Sequence, residues 1–313
     1  MKSERALEKI FERFEATYVK ALKQNGFTDS VAIENIRTLK SLALKELSDP
    51  TLFEAYHKME RKPFDFYRFG LDFFGPLIDE KASSFMGERE LDEIEENLRI
   101  GQNAILFANH QTEPDPQIIS FMLQDKHPRL AEEMIFVAGH RVTSDPVAIP
   151  FSRGRNLICI FSKRHIENDP DQKEARILHN RKAMEKLKSL LKEGGKCIYV
   201  APSGGRDRPN EQNELLPAMF DPASLELFRL MATGTKTRFY PLAMHTYEIM
   251  PPSEKVEKEL GETREAGFGP VYLAIGQALD LDHFPGMPEE KSLARIKRAE
   301  YVYSHVLDLY LRK

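Results

Sequence analysis

The chain has 313 residues, which is enough for one large α/β domain or for a small domain joined to a larger one. Its composition, with 41% hydrophobic and 30% charged residues, is typical of a globular protein and excludes a largely disordered chain. The formal net charge of −4 and the pI near 6.2 argue against a general nucleic-acid-binding protein, because such a protein needs a net basic face to displace counterions from phosphates.

Helical patterns dominate the N-terminal part of the sequence. Apolar residues at spacings of three and four predict an amphipathic helix over residues 3–25. A second helix follows at the same spacing, and Asp49-Pro50 is typical of the N-cap and first residue of a third helix. The sequence therefore predicts an N-terminal helical bundle over residues 1–78, followed by an α/β domain over residues 79–313.

Signal features and cysteine usage indicate the compartment. The first residues carry an acid early and lack an apolar h-region, unlike a transit peptide or a secretory signal. No apolar run approaches the roughly 18 residues that span a bilayer. Cys159 and Cys197 lie in apolar, strand-like runs, which indicates reduced core thiols rather than a disulfide. We therefore expect a protein without a transmembrane segment, in the cytoplasm or, for a processed mature chain, in the plastid stroma.

An aromatic segment, Pro63–Phe74, lies between the predicted bundle and the predicted α/β domain. Such a segment can contact a membrane or an acyl chain. Packing between the bundle and the rest of the protein is the more common explanation, and the sequence favours it.

After about residue 80, short apolar runs alternate with longer helical patterns. This alternation predicts a mixed, largely parallel sheet flanked by helices, with functional loops at one edge. The predicted strands are residues 104–108, 135–138, 157–161, 197–201, 238–243 and 271–275. The predicted helices are residues 117–126, 171–193, 222–233 and 288–311.

A histidine and an aspartate follow the first of these strands. Five residues turn about 500° on a helix, and Pro114 and Pro116 exclude a continuous helix, so only a local turn can bring Asp115 to His110. At neutral pH a histidine can accept a proton from an alcohol, and a nearby carboxylate stabilises the imidazolium that results. Two structural interpretations stay open: His110 as an ordinary loop histidine, and Asp115 as the N-cap of a helix that begins at Pro116.

A second polar loop follows the fourth predicted strand, and it contains Ser203, Gly204 and Gly205 before Arg206 and Arg208. Two arginines two positions apart project to the same side of an extended chain. A Gly-Gly pair lets backbone N–H groups approach an anion closely, so the loop is predicted to bind a phosphate. An exposed polar turn with local Arg-Asp pairing is the alternative. No Gly-x-Ser-x-Gly elbow surrounds Ser203, which argues against a serine nucleophile.

A basic cluster, Lys163, Arg164 and His165, follows the third predicted strand. A solvated charge run is the usual explanation. Because three polar loops all follow strands of one predicted sheet, they are also able to converge.

The helix over residues 171–193 carries seven basic residues against four acids, which fits either a docking surface for an acidic protein or a solvated outer face.

Taken together, these motifs resemble the soluble glycerol-3-phosphate 1-O-acyltransferases of the plastid and chlamydial type, within the glycerolipid acyltransferase superfamily. The Asn-His-x4-Asp block of the superfamily is matched by Asn109, His110 and Asp115. The other matching blocks are residues 154–160 running into 163–165, residues 202–206 and residues 240–243. The resemblance extends from about residue 60 to 280, and it includes the Pro63-Phe64-Asp65 region.

The chain departs from the plastid pattern at one position. Arg164 stands where the plastid enzymes carry a lysine before the histidine. Arginine keeps the charge but presents a planar fork instead of a point charge. We expect phosphate binding to survive with an altered geometry.

The resemblance implies a specific reaction, namely transfer of a fatty acyl group from acyl carrier protein or CoA to the sn-1 hydroxyl of glycerol 3-phosphate, which gives 1-acyl-glycerol 3-phosphate. It implies His110 as the general base, supported by Asp115. The phosphate-binding residues it implies are Lys163, Arg164, His165, Arg206 and Arg208, with Ser203, Gly204 and Gly205 as the supporting loop. It implies direct attack on the thioester, no metal or other cofactor, no nucleic-acid partner, and at most peripheral contact with a membrane.

Three competing interpretations remain at the level of sequence. A metal-dependent phosphoesterase would use His110, Asp115, His140 and His165, although no pair has helical metal-ligand spacing. A lipid or acyl-carrier binding module would need no turnover, but the motif residues are intact. A 1-acylglycerol-3-phosphate acyltransferase would use the same His-x4-Asp chemistry, but those enzymes are typically membrane-bound.

Overall fold

A computed structural model describes residues 2–253 and 263–313, apart from the side chains of residues 2–6, 163 and 164. The α-helices are α1 (Lys2–Gln24), α2 (Asp29–Ser48), α3 (Phe66–Phe74), α4 (Glu88–Arg99), α5 (Asp115–Leu123), α6 (Pro128–Glu133), α7 (Ile149–Arg153), α8 (Lys163–Glu167), α9 (Lys173–Glu193), α10 (Pro222–Met231) and α11 (Lys291–Tyr310). The strands are β1 (Tyr56–His57), β2 (Ser84–Met86), β3 (Asn103–Ala108), β4 (Ile135–Gly139), β5 (Asn156–Ile160), β6 (Cys197–Val200), β7 (Thr237–His245) and β8 (Tyr272–Ile275).

The strands form one eight-stranded sheet in the order β1-β5-β4-β6-β3-β7-β8-β2. Neighbours from β5 to β7 pair in parallel, whereas β1 with β5 and β7 with β8 pair antiparallel. The predicted fold class, a mixed and largely parallel sheet flanked by helices, is confirmed. Because the five central strands run in one direction, the loops after β3, β4, β5, β6 and β7 all leave the sheet at the same edge.

Helices cover both faces of the sheet, which explains why the central strands are apolar throughout. All six residues of β3 are buried. Successive side chains of a strand point to opposite faces, and accordingly Ala104, Leu106 and Ala108 join one hydrophobic cluster while Ile105 and Phe107 join the other. The first cluster includes apolar residues of α1 to α6, and the second includes those of α9, α10 and α11.

The N-terminal helices α1 and α2 form as predicted, but the predicted third helix at Asp49-Pro50 is wrong. Asp49 is instead the C-cap of α2, and its N–H donates to the Lys45 carbonyl. The Glu46 carboxylate accepts hydrogen bonds from the backbone N–H and the hydroxyl of Thr51, which holds the following segment in an irregular conformation. That segment leads into β1, which pairs with the edge of the sheet. The division into domains at residue 78 stays a prediction.

The aromatic segment is packed into the core. In α3, seven of nine residues are buried, including Phe69, Phe73 and Phe74. The rings of Phe73 and Phe74 lie 5.1 and 4.8 Å from the ring of Phe151 in α7, and Phe73 stacks on Tyr18 of α1 at 4.4 Å. The packing interpretation of this segment is therefore confirmed for these rings. None of the helices in residues 2–253 and 263–313 combines the length and the apolar character that a membrane-spanning segment needs.

Candidate active site

His110 follows β3 at the carboxyl edge of the parallel strands, where the polar loops of the neighbouring strands also begin. Its Nδ1 lies 2.8 Å from Oδ2 of Asp115, so the contact expected from the sequence is present. The histidine side chain keeps 30% of its surface exposed, whereas the aspartate side chain is fully buried. Because an ionised carboxylate only accepts hydrogen bonds, Nδ1 carries a proton, and in the neutral imidazole Nε2 then has the lone pair.

Four further hydrogen-bond donors hold the Asp115 carboxylate. The backbone N–H groups of Gln111 and Thr112 donate to it, as do the hydroxyls of Thr112 and Thr246 at 2.7 and 2.6 Å. Burial alone would raise the pKa of Asp115, but His110 and these hydroxyls hold the pKa below its ordinary value. The carboxylate is therefore ionised and fixed in orientation.

The structure does not support Asp115 as a helix N-cap. Asp115 is itself the first residue of α5, and Pro114 takes the N-cap position without a side-chain hydrogen bond. The carboxylate turns back toward residues 110–112 of the preceding loop instead. Of the two roles considered for Asp115, helix capping is not observed, whereas the contact that supports His110 is.

The loop after β6 carries the two predicted arginines beside the histidine. The backbone N–H of Asp207 donates to the His110 carbonyl at 2.6 Å, and Arg206 and Arg208 flank Asp207 in the chain. Arg208 Nη1 donates to the carbonyl of Ser253 at 2.7 Å, and both arginines are half-buried. The alternation expected of an extended segment is present, because the Asp207 side chain is fully buried between the two arginines.

The turn that precedes these arginines is held by its own residues. Ser203 Oγ donates to the carbonyl of Gly205 at 3.0 Å, so the hydroxyl acts within the turn. Gly204 has a φ of 68°, in the left-handed region that favours glycine.

Asp207 ties this loop to the end of β3. Its carboxylate accepts hydrogen bonds from Asn109 Nδ2 and from the backbone N–H of Ala218, each at 2.8 Å. Asn109 also exchanges two hydrogen bonds with the backbone of Met244 in β7. Burial raises the pKa of Asp207 to about 6, against these two hydrogen bonds, which lower it. The residues on either side of His110 are thus fixed to both neighbouring strands.

The basic cluster after β5 is described only in part. The backbone of residues 163–167 forms α8, and the side chains of Lys163 and Arg164 lie outside the described residues. His165 Nδ1 lies 2.8 Å from Ser162 Oγ, and its ring centroid lies 5.9 Å from that of His140. Burial, together with the charge of His165, lowers the pKa of His140.

A cavity of about 110 Å³ is lined by His110 at the edge of the sheet. Its walls are mainly apolar, and they include Phe74, Phe136, Ala138, Val142, Phe151 and Leu157. Two charged side chains, those of Glu113 and Arg155, line it together with His110. An apolar cavity beside a histidine whose tautomer is fixed is the arrangement expected of a site that binds an alkyl group next to a general base.

A buried ion cluster supports the loop that carries His110. Arg264 donates to both carboxylate oxygens of Glu113, at 3.2 and 2.9 Å, and to Asp145 at 2.9 Å. The arginine side chain is 5% exposed, and the two carboxylates are 14% and 13% exposed. Loss of one partner in such a cluster leaves charges buried without compensation.

We expect Arg264→Met to lower the free energy of unfolding by about 3–5 kcal/mol, because Glu113 and Asp145 lose their cation. Equilibrium unfolding in urea measures this change. Arg13→Met is the matched control. Arg13 pairs with Glu265, the residue that follows Arg264 in the chain, and the Arg13 side chain is 64% exposed. An exposed pair contributes about 0–1 kcal/mol. Equal effects of the two substitutions would contradict a structural role for the Arg264 cluster.

Cys159 and Cys197 are both free and buried, and burial raises the pKa of each thiol to about 12. Among the described residues, no group of three or more His, Cys, Asp and Glu side chains is arranged to hold a metal ion.

Several residues of the site were not identified from the sequence. They are Thr246, Asp207, Glu113, Arg264 and Arg155. Thr246 follows β7, 131 positions after Asp115, and Arg264 lies 151 positions after Glu113. The order of strands in the sheet decides these contacts, and no local pattern in the sequence reports that order. For Asp207 the alternation with its two neighbouring arginines was an available signal.

The family model described as Acyltransferase matches residues 91–245, which include His110, Asp115 and Arg206. The chloroplastic glycerol-3-phosphate acyltransferase of Phaseolus vulgaris is 38% identical over 299 residues, covering 94% of this chain and 65% of that protein. The chloroplastic glycerol-3-phosphate acyltransferase of Pisum sativum is 34% identical over 308 residues, covering 97% of this chain and 67% of that protein.

This chain therefore spans about two thirds of the length of these relatives, and just under two thirds of the bean protein. Among solved structures, the 1-acyl-sn-glycerophosphate (LPA) acyltransferase PlsC from Thermotoga maritima aligns over 99% of each chain, with 20% identity and a TM-score of 0.41.

Proposed function

The chain belongs to the glycerol-3-phosphate acyltransferase family, and from this membership we propose that it transfers a fatty acyl group from a thioester to the sn-1 hydroxyl of glycerol 3-phosphate. The product is 1-acyl-sn-glycerol 3-phosphate. The observation that carries the proposal is the 2.8 Å contact between His110 Nδ1 and the buried Asp115 carboxylate, beside an apolar cavity and next to the loop of Arg206 and Arg208.

In the proposed reaction, His110 acts as the general base through Nε2. It removes the proton of the sn-1 hydroxyl as that oxygen attacks the thioester carbonyl carbon. The tetrahedral intermediate collapses, the carbon–sulfur bond breaks, and the proton held on Nε2 passes to the leaving thiolate. Asp115 stabilises the transient imidazolium and fixes its orientation. No acyl-enzyme forms, and the reaction as proposed needs no metal and no cofactor besides the acyl donor.

The acceptor phosphate is proposed to bind at the loop of Arg206 and Arg208, with Lys163, Arg164 and His165 in α8, which follows β5 at the same edge of the sheet. Arginine forks match the oxygens of a phosphate. The buried Asp207 supports this role, because it fixes the loop to Asn109 and leaves the two arginines on the opposite side of the chain. A phosphate held there would keep the glycerol hydroxyls within reach of the adjacent histidine.

Replacing Arg208 with alanine is expected to raise the KM for glycerol 3-phosphate about 10- to 100-fold, because a hydrogen bond to a charged group contributes about 1.5–3 kcal/mol. Arg206→Ala is expected to act in the same way. Steady-state rates over a range of acceptor concentrations measure both. Arg238→Ala is the control, since Arg238 lies near the start of β7, at the opposite edge, and pairs with Glu93. A loss confined to kcat would argue against phosphate binding by this loop.

The donor is proposed to be acyl carrier protein or CoA carrying the acyl group. The basic residues of α9 support a protein donor of acidic character.

The cellular location is proposed as the cytoplasm or the plastid stroma, and the names of the relatives, which are chloroplastic proteins, support the stroma. Any contact with a membrane is proposed to be peripheral.

A thiol-release assay with an acyl donor tests the proposal. Release of free thiol that depends on glycerol 3-phosphate, with the acyl group at sn-1 of the product, is the expected result. Transfer to lysophosphatidic acid alone would favour the sister activity at sn-2. Donor binding without acceptor-dependent release would favour a binding module, and loss of the activity with chelators would favour metal-dependent chemistry.

A further inference from the structure

One side chain that lines the apolar cavity is a buried arginine with unused hydrogen-bond donors. Arg155 is 3% exposed, and its Nη1 donates to Ser120 Oγ at 2.6 Å. Its Nε and Nη2 atoms are buried and have no hydrogen-bond partner among the described residues. The ring of Tyr67 lies 4.9 Å from the guanidinium carbon. Buried donors of this kind are rare, because they forgo the hydrogen bonds that water would provide.

Arg155 lies far from His110 along the direction of the strands. The pairings of β5 with β4, of β4 with β6 and of β6 with β3 place Asn156 at the same height in the sheet as Ile105. Ile105 precedes His110 by five positions. At a rise of about 3.3 Å per residue, the backbones of His110 and Arg155 are separated by roughly 15–20 Å along the sheet. The same cavity is lined by both residues, so the arginine marks the end remote from the proposed chemistry.

The guanidinium remains charged at neutral pH. Burial lowers the pKa of Arg155 to about 10, and Tyr67 opposes that decrease. An alkyl chain that enters from the His110 end thus meets apolar walls first and last a cation with two nitrogen atoms that have no hydrogen-bond partner. A group placed against this cation is favoured when it offers an oxygen acceptor and disfavoured when it is a methyl group.

We propose that Arg155 forms a polar end to the acyl pocket and limits the length of the acyl chain that the protein accepts. This inference rests on the proposed acyl transfer at His110. A chain that stops short of Arg155 leaves room for water to accept from Nε and Nη2. A longer chain displaces that water with a methyl group that cannot replace its hydrogen bonds, which weakens binding. A terminal hydroxyl on the longer chain restores an acceptor.

Binding to the wild-type protein tests the inference without any substitution. Calorimetric titration with acyl-CoA donors of increasing length is expected to show affinity that rises and then falls. At the first length past the maximum, the ω-hydroxyacyl donor is expected to bind about tenfold more tightly than the plain donor, the value of one hydrogen bond to a charged group. Equal affinities of the plain and hydroxylated donors at every length would overturn the inference.

Arg155→Met removes the charge and the donors while keeping a side chain of similar length. The longest plain donors are expected to bind about tenfold more tightly to this variant, and the advantage of the ω-hydroxyl is expected to disappear. Arg129→Met is the control, because Arg129 is 66% exposed outside this cavity and its loss should leave the length profile unchanged. If Arg155→Met fails to fold, the comparison of plain and hydroxylated donors on the wild-type protein decides whether Arg155 forms the pocket end.

The readout separates this inference from the proposed function. A length profile with the ω-hydroxyl effect, but without acyl transfer to glycerol 3-phosphate, would support the pocket end and contradict the proposed reaction. Acyl transfer to glycerol 3-phosphate with a length profile that is unchanged in Arg155→Met would support the proposed reaction and contradict the pocket end.

Discussion

Replacing His110 with alanine is expected to lower kcat by about 10²–10⁴-fold, because the reaction then lacks a positioned base to accept the hydroxyl proton. The KM for glycerol 3-phosphate should change little, since the residues proposed to bind the phosphate remain. Single-turnover thiol release at saturating donor and acceptor measures the chemical step directly. The fold should persist, because the Asp115 carboxylate keeps its hydrogen bonds from Gln111, Thr112 and Thr246.

His283→Ala is the matched control for this substitution. His283 also lies next to an aspartate, Asp280, but its side chain is 87% exposed. Its loss is expected to leave turnover unchanged. Turnover of His110→Ala within a few-fold of the wild-type value would contradict the assignment of His110 as the base, whatever the behaviour of the control.

The central strands could be predicted from the sequence because each is buried on both faces. Such strands appear as continuous apolar runs, and β3, β4, β5, β6, β7 and β8 each begin and end within two residues of the predicted bounds. The short strands β1 and β2 have two and three residues, and their formation depends on pairing with β5 and β8. A local pattern carries no information about such a partner.

The mistaken third helix has a similar origin. Asp-Pro is a frequent start of a helix, and residues 49–50 carry that signal in full. The competing interaction is the Glu46 carboxylate, which accepts from Thr51 and pairs with Arg153, 107 positions later in the chain. A tertiary ion pair therefore decides a local conformation that the dipeptide alone would set differently.

In the site, the predictable contacts are those between residues close in sequence. His110 and Asp115 are five positions apart, and the two prolines around Asp115 leave a local turn as the way to join them. The hydroxyl of Thr246 reaches the same carboxylate only because β7 lies beside β3 in the sheet. The resemblance to a known family implies which residues bind the acceptor phosphate, but it identifies none of the buried residues that hold His110 and the arginine loop in place.

Asp115→Asn is expected to lower kcat by about 10³–10⁴-fold while leaving the KM for glycerol 3-phosphate nearly unchanged. The amide nitrogen can only donate. Placed at the Oδ2 position, it faces the N–H of Gln111 and forces His110 Nδ1 to become an acceptor, so that the proton moves to Nε2 and blocks the base. Placed at the Oδ1 position, it preserves the tautomer but removes the charge that stabilises the imidazolium. Both orientations slow the same chemical step.

Thr246→Val separates the charge of Asp115 from its hydrogen bonds. The valine removes the 2.6 Å hydrogen bond to Oδ1 and keeps the carboxylate ionised, so a loss of about tenfold in kcat is expected, the value of one charge-assisted hydrogen bond. Rates under single-turnover conditions, with unfolding curves for each variant, separate chemistry from stability. If Asp115→Asn were no slower than Thr246→Val, the carboxylate would serve only to shape the loop, and the charge on Asp115 would have no part in supporting His110.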